Sequence, residues 1–205
     1  LKRLQTDYID LYQSHWDDET TPMEETLRAY ETLIAQRKVK VIGASNFAAA
    51  RLEQSLQISK EQHLPAYQCL QPEYNLFARQ NYEEQLEALC LKNNISVITY
   101  WSLAGGFLSG KYRSEADFKK SPRGSGMSKY FSERGFNILK ALDEISEEYN
   151  VTPTQVSLAW LMARPSVTAP IVSATNIEQL QDLIASVALK LDKQVIERLN
   201  IASAY

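Results

Sequence analysis

Long apolar runs are missing from this 205-residue chain: nothing in it approaches the roughly 18 consecutive apolar residues that cross a bilayer. The opening Leu1-Lys2-Arg3-Leu4 also lacks the apolar core of a signal peptide. No membrane partner and a cytoplasmic address are therefore expected. Concentrated basic charge is missing too. The net charge is -3 with the signs interspersed, and the densest basic stretch, Lys111 to Arg123, carries Glu115 and Asp117 as well. Phosphate recognition needs a concentrated basic surface, so nucleic acid is not expected as a partner. Cysteine is limited to Cys69 and Cys90. Two lone thiols in a strand-like and a helix-like run read as small buried hydrophobes and not as a disulfide framework. Glycine is sparse at seven, and Gly105, Gly106, Gly110, Gly124 and Gly126 fall in one stretch. That stretch is expected to be a long flexible loop, and a long loop inside a compact domain is more often functional than ornamental. Finally, no Met opens the chain. Leu1 to Thr6 reads as the last turn of a helix already under way, so the chain is expected to be the back part of something longer.

What is present is ordinary globular material, 44% hydrophobic and 23% charged, enough for one domain over residues 1–205. The stretch V-K-V-I-G-A-S-N-F, Val39 to Phe47, organises it. Val39, Val41 and Ile42 suit a parallel strand covered on both faces, and Gly43 lets the backbone turn or approach something closely. Ser45 and Asn46 can cap the helix that follows, or offer a hydroxyl and an amide to a bound molecule.

The same design recurs. Tyr8 to Gln13 alternates as a strand and ends at His15. Thr21-Pro22-Met23-Glu24 reads as a capping box opening a helix to about Lys38, with Leu27, Tyr30, Leu33 and Ile34 on its apolar face. Tyr67 to Gln71 is a third strand, Gln80 to Asn93 a helix, Ile95 to Tyr100 a fourth strand and Ser166 to Ser173 a fifth. Thr152, Asn176 and Asp192 are expected to cap three later helices. Connections of helical length between strands require a parallel sheet with helices outside it. Five such units fit a doubly wound sheet or part of a (β/α)₈ barrel, and either places the ligand at the carboxyl ends of the strands. His63, Glu83-Glu84 and Glu147-Glu148 read as structural or solvated positions.

Five motifs taken together resemble one family. D-Y-I-D-L-Y-x-x-H-W, K-V-I-G-x-S-N-F, Q-x-E-Y-N-L, Y-x-x-L-A-x-G-x-L-S-G-K-Y and I-x-x-A-T-x-x-E-Q-L occur in order and at fitting distances. They resemble the aldo-keto reductases, in the branch of bacterial reductases and potassium-channel β-subunits. The resemblance implies an α/β fold, a (β/α)₈ TIM barrel, of which this chain would cover the last five βα units plus the C-terminal helix. It further implies reduction of a small-molecule aldehyde or ketone by hydride from NADPH, less often NADH.

Carried over residue by residue, the resemblance makes His15 the catalytic histidine that orients and polarises the substrate carbonyl. Ser45, Asn46 and Gln71 match the trio that holds the nicotinamide carboxamide, and Tyr100 the aromatic residue stacked on the nicotinamide. Leu103, Ser109 and Lys111 match the loop over the pyrophosphate. Trp101 and Ser102 belong to the same run, at a place where a Ser-Pro pair is common. Arg123 reaches toward the adenosine, and Ser173, Thr175, Gln179 and Asp182 surround the adenosine and its 2'-phosphate. Ser173, Gln179 and Leu183 replace a frequent Gly or Lys, Arg and Asn there, so NADP over NAD is a preference only. No segment matches the family's Asp, its Tyr proton donor and its Lys, so the 205 residues alone are expected to turn over little. A cofactor-binding regulatory subunit and an inactive scaffold are the alternatives.

Overall fold

The computed structural model describes residues 1–205, apart from the side chain of Lys120. It divides into two compact units, residues 1–72 with 83–98, and residues 73–82 with 99–205.

The first unit is a parallel sheet with helices packed on it. Its strands are β1 (Ile9–Ser14), β2 (Val39–Ser45), β3 (Cys69–Gln71) and the start of β4 (Ser96–Thr99). They pair in chain order and all in parallel, with Gln13 opposite Gly43, Gly43 opposite Cys69, and Ser45 opposite Gln71. The helices α1 (Met23–Ala35), α2 (Ala49–Gln62) and α3 (Glu87–Lys92) supply the connections that parallel pairing demands. Leu27 and Tyr30 of α1 are buried as their spacing predicts, with Ile42, Leu52, Tyr67, Leu70 and Val97 beside them in the core. Both cysteines are free and buried. Burial pushes the Cys69 thiol up to about 11 and the Cys90 thiol up to about 12, so both stay neutral.

Three sequence expectations are corrected in this unit. The capping box does not form. Pro22 takes the cap position of α1, and the Thr21 hydroxyl donates to Asp18 Oδ2 at 2.8 Å, in a turn where Asp18 also accepts from Thr20. The helix stops at Ala35, and Arg37 turns at φ 57° into β2. Ser45 is the last residue of β2 and not a cap, since α2 begins from Ala48.

The second unit carries the long stretch after β4. It is a chain of 3₁₀ turns, at Ala104–Ser109, Glu115–Lys120, Pro122–Gly126 and Ser128–Tyr130. The expected flexible loop is instead a packed one, because it brings its own core: Phe107, Leu108, Tyr112, Met127 and Tyr130 are all buried. Phe107 stacks on Tyr130 with centroids 5.0 Å apart, and Phe77 meets Tyr130 edge-on at 4.8 Å. Glycine serves the turns here, Gly106 standing at φ 102° where a side chain would be strained.

Four helices follow or flank strand β5 (Val167–Pro170): α4 (Glu133–Tyr149), α5 (Pro153–Met162), α6 (Ile177–Ala185) and α7 (Lys193–Ala202). Thr152, Asn176 and Asp192 cap α5, α6 and α7 as predicted, each side chain accepting from a backbone N–H of the first turn. Helix α5 is buried on nearly every side and forms the unit's centre, with Trp160 against Tyr74. Thr99, the last residue of β4, accepts from the N–H of Ile171 just beyond β5.

The predicted helix 80–93 contains a π turn at Tyr82–Leu86 before α3, a widening that no sequence pattern announced.

Candidate active site

In the first unit, His15, Ser45, Asn46 and Gln71 stand at the carboxyl ends of β1, β2 and β3 and are joined by hydrogen bonds. Asn46 Nδ2 donates to the backbone carbonyl of His15 at 2.9 Å and to Ser45 Oγ at 3.1 Å. Ser45 Oγ in turn donates to the backbone carbonyl of Gln71 at 2.8 Å. Asn46 has φ 57°, the left-handed region that Asn tolerates better than other residues with side chains. That backbone turn aims its amide back across the strand ends, and the N-cap of α2 falls to Ala48. The imidazole of His15 is exposed beside the Trp16 ring, 5.7 Å between centroids. Gln71 is half-buried and donates from Nε2 to Gln13 Oε1 at 2.8 Å. Gln71 Oε1 takes no donor among the described residues.

Sequence reasoning missed Gln13. The signal was available: side chains alternate along a strand, so Leu11 and Gln13 share the face of β1 that ends at this cluster. The opposite face carries Ser14, whose hydroxyl lies 2.7 Å from that of Tyr30 and 3.0 Å from that of Tyr67.

In the second unit the expected cofactor residues fall into two kinds. Trp101, Lys111, Arg123, Ser173 and Thr175 are exposed. Trp101 stands at φ 54° with the Lys129 ammonium 5.1 Å from its ring. Tyr100 is half-buried next to Glu73, and burial, helped by that carboxylate, raises its hydroxyl above the ordinary value. Leu103 leads into the first 3₁₀ turn.

The rest are engaged in holding the fold. Ser102 is buried with its hydroxyl 3.0 Å from the carbonyls of both Thr99 and Ile171. Ser109 donates to Gly106 O at 2.7 Å. Gln179 Oε1 accepts from Thr175 N and Oγ1, tightening the start of α6. Asp182 accepts from Thr152 Oγ1 at 2.8 Å and Gln155 Nε2 at 2.7 Å, which commits its carboxylate to α5.

A model of the aldo/keto reductase family matches residues 1–204. The chain belongs to the aldo/keto reductase family. It is 35% identical to the uncharacterized oxidoreductase YrpG of Bacillus subtilis over 98% of this chain and 60% of that protein. It is 30% identical to an L-glyceraldehyde 3-phosphate reductase of Escherichia coli, over 89% of this chain and 54% of that one. Among solved structures, that of the thermostable aldo-keto reductase Tm1743 with the inhibitor epalrestat superposes with a TM-score of 0.75 at 31% identity. The match covers 98% of this chain and 62% of that one. The chain thus spans little more than half the length of the relatives it matches. Aldo/keto reductases as a family use nicotinamide cofactors, and in this one no helix among the described residues is long and apolar enough to cross a membrane.

Within the cluster Ser45 Oγ and Asn46 Nδ2 donate to protein groups, which leaves the Gln71 amide as the group that suits one end of such a cofactor. A nicotinamide carboxamide presents an N–H₂ donor and a carbonyl acceptor, and the cluster offers a carbonyl oxygen at Gln71 Oε1 with no donor assigned to it.

Proposed function

We propose that this aldo/keto reductase reduces aldehydes or ketones to alcohols by hydride transfer from NADPH, less often NADH. The observation that carries the reading is the bonded cluster of Ser45, Asn46 and Gln71 with the backbone of His15. In this reading the trio holds the nicotinamide carboxamide and so fixes which ring face meets the substrate. His15, tied to Asn46 through its backbone, presents its imidazole to the carbonyl. Hydride arriving at carbon leaves charge on oxygen, so an imidazole N–H placed there lowers the barrier by hydrogen bonding, and a proton donor completes the reaction. For the second unit, taken by itself, Tyr100, Lys111, Arg123, Ser173 and Thr175 are the residues assigned to cofactor, with a lysine charge suited to a phosphate. A cytoplasmic setting agrees with two free thiols kept reduced.

The test is a fluorescence titration with NADPH and NADH, followed by cofactor oxidation against a panel of aldehydes and ketones, on the whole protein from its natural source and on its His15→Ala variant. Saturable binding with carbonyl-dependent oxidation that falls at least tenfold in His15→Ala supports the proposal. Binding without oxidation favours the cofactor-binding regulatory or scaffold reading. Absence of binding rejects both.

A further inference from the structure

Gln13 lies on β1 and Gln71 on β3, with the whole of β2 between them, yet their side-chain amides meet at 2.8 Å. The strand in between makes this contact by what it lacks. Gly43 is the residue of β2 that pairs with both Gln13 and Cys69. A Cβ on Gly43 would stand 3.0 Å from Gln13 Cγ and 3.2 Å from Leu11 Cδ1, with the Cys69 carbonyl at 3.1 Å. Those distances are tighter than most real side-chain contacts, so a side chain here would push on Gln13 and Leu11, and the bare glycine leaves Gln13 room to cross the sheet.

The consequence lies in how a carboxamide is oriented. A glutamine side chain presents donors on one side and an acceptor on the other, and the two swap places by a half-turn about the terminal bond. Gln13 Oε1 accepts from Gln71 Nε2, which leaves Gln71 Oε1 as the group offered to a ligand. We propose that Gln13, crossing β2 over Gly43, is a positioning residue that holds Gln71 as a hydrogen-bond acceptor and thereby selects ligands carrying an N–H₂ donor. This rests on the reading of Ser45, Asn46 and Gln71 as the carboxamide site and adds what sets its polarity. The role assigned to Gln13 acts through Gln71.

The discriminating ligand is the NADPH analogue in which the carboxamide is replaced by acetyl, so that the N–H₂ donor becomes a methyl group. One hydrogen bond to an unpaired acceptor is worth about tenfold in affinity. Wild type is expected to bind NADPH about that much more tightly than the acetyl analogue. In Gln13→Met, which keeps the length but cannot accept from Nε2, the preference should fall to within about twofold as Gln71 rotates freely. In Gln13→Glu, whose carboxylate can only accept, it should survive. The Gln71 side-chain ¹⁵N–H₂ resonances of the cofactor-free protein give a second readout, expected to shift in Gln13→Met and to stay in place in Gln13→Glu.

Equal affinity of wild type for the two cofactors overturns the inference without any variant. So does an undiminished preference in a folded Gln13→Met. If neither cofactor binds wild type, the carboxamide-site reading fails and the inference fails with it.

Discussion

The side-chain amide of Asn46 donates to the backbone carbonyl of His15 at 2.9 Å, although thirty-one positions separate them in the chain. The bond ties the loop after β2 to the end of β1, and the left-handed backbone at Asn46 makes it reachable. Two contributions are thus joined in one residue and can be separated by substitution. Asn46→Gly keeps the backbone and loses the bond, and should cost about 1 kcal/mol. Asn46→Ala loses the bond and also strains the backbone, and should cost about 2–3 kcal/mol. Urea unfolding of the two variants measures the difference. Equal losses would mean that the backbone at Asn46 is unstrained.

Ser14 stands on the other face of β1 and serves stability. Its hydroxyl is shared with Tyr30 and Tyr67, which are 8% and 2% exposed. Ser14→Ala leaves two buried phenol groups short of a partner and should destabilise by about 1–3 kcal/mol. Adding Tyr67→Phe to Ser14→Ala should cost less than the sum of the single changes, because the second change removes a group already orphaned. A double-mutant cycle in urea tests this, and strict additivity would remove the hydroxyl chain from the account of the fold.

Much of this architecture was legible in the sequence because it depends on local chemistry. Apolar strands alternating with amphipathic helices gave the parallel α/β pattern, and Thr152, Asn176 and Asp192 cap where their residue types indicate. The failures share a cause, which is competition from residues elsewhere. Thr21 had the spacing of a cap, but Pro22 takes the cap position and the Thr21 side chain turns to Asp18 in the preceding turn. The glycines after β4 suggested mobility, yet the aromatic residues among them, Phe107, Tyr112 and Tyr130, pack a core of their own. Gln13 was overlooked because its role exists only through register: pairing sets it opposite Gly43 and within reach of Gln71.

Raised thiol and phenol pKa values give the stability a direction with pH. Burial holds Cys69, Cys90 and Tyr67 in their neutral forms, lifting them from 9.0, 9.0 and 10.0 to about 11, 12 and 12. The unfolded chain releases these protons first. The stabilisation is therefore whole below about pH 9 and is lost as pH rises toward about 12. Unfolding midpoints in urea should fall steadily across that window and be flat from pH 7 to 9 as far as these groups are concerned. The same burial predicts that a thiol reagent at pH 8 labels neither cysteine until denaturant is added; prompt labelling of the folded chain would contradict it.

Helix α6 separates two ways in which a helix can be held. Ile177, Leu180 and Ile184 form a stripe along it, and all are exposed, Ile184 at 62%. Burial of that stripe therefore contributes little to this structure. Asp182, by contrast, accepts from the Thr152 hydroxyl and the Gln155 amide, and Thr152 at the same time caps α5 by accepting from Gln155 N. One polar knot thus anchors α6 and closes the first turn of α5. Asp182→Ala should cost about 1–3 kcal/mol, because it leaves two donors unpaired. Thr152→Ala should cost at least as much, since it removes the cap together with the tether. Ile184→Ser should stay within about 0.5 kcal/mol, as surface changes usually do. Thermal or urea unfolding of the three variants ranks them. If Ile184→Ser proved the most damaging, the stripe and not the knot would be what holds α6.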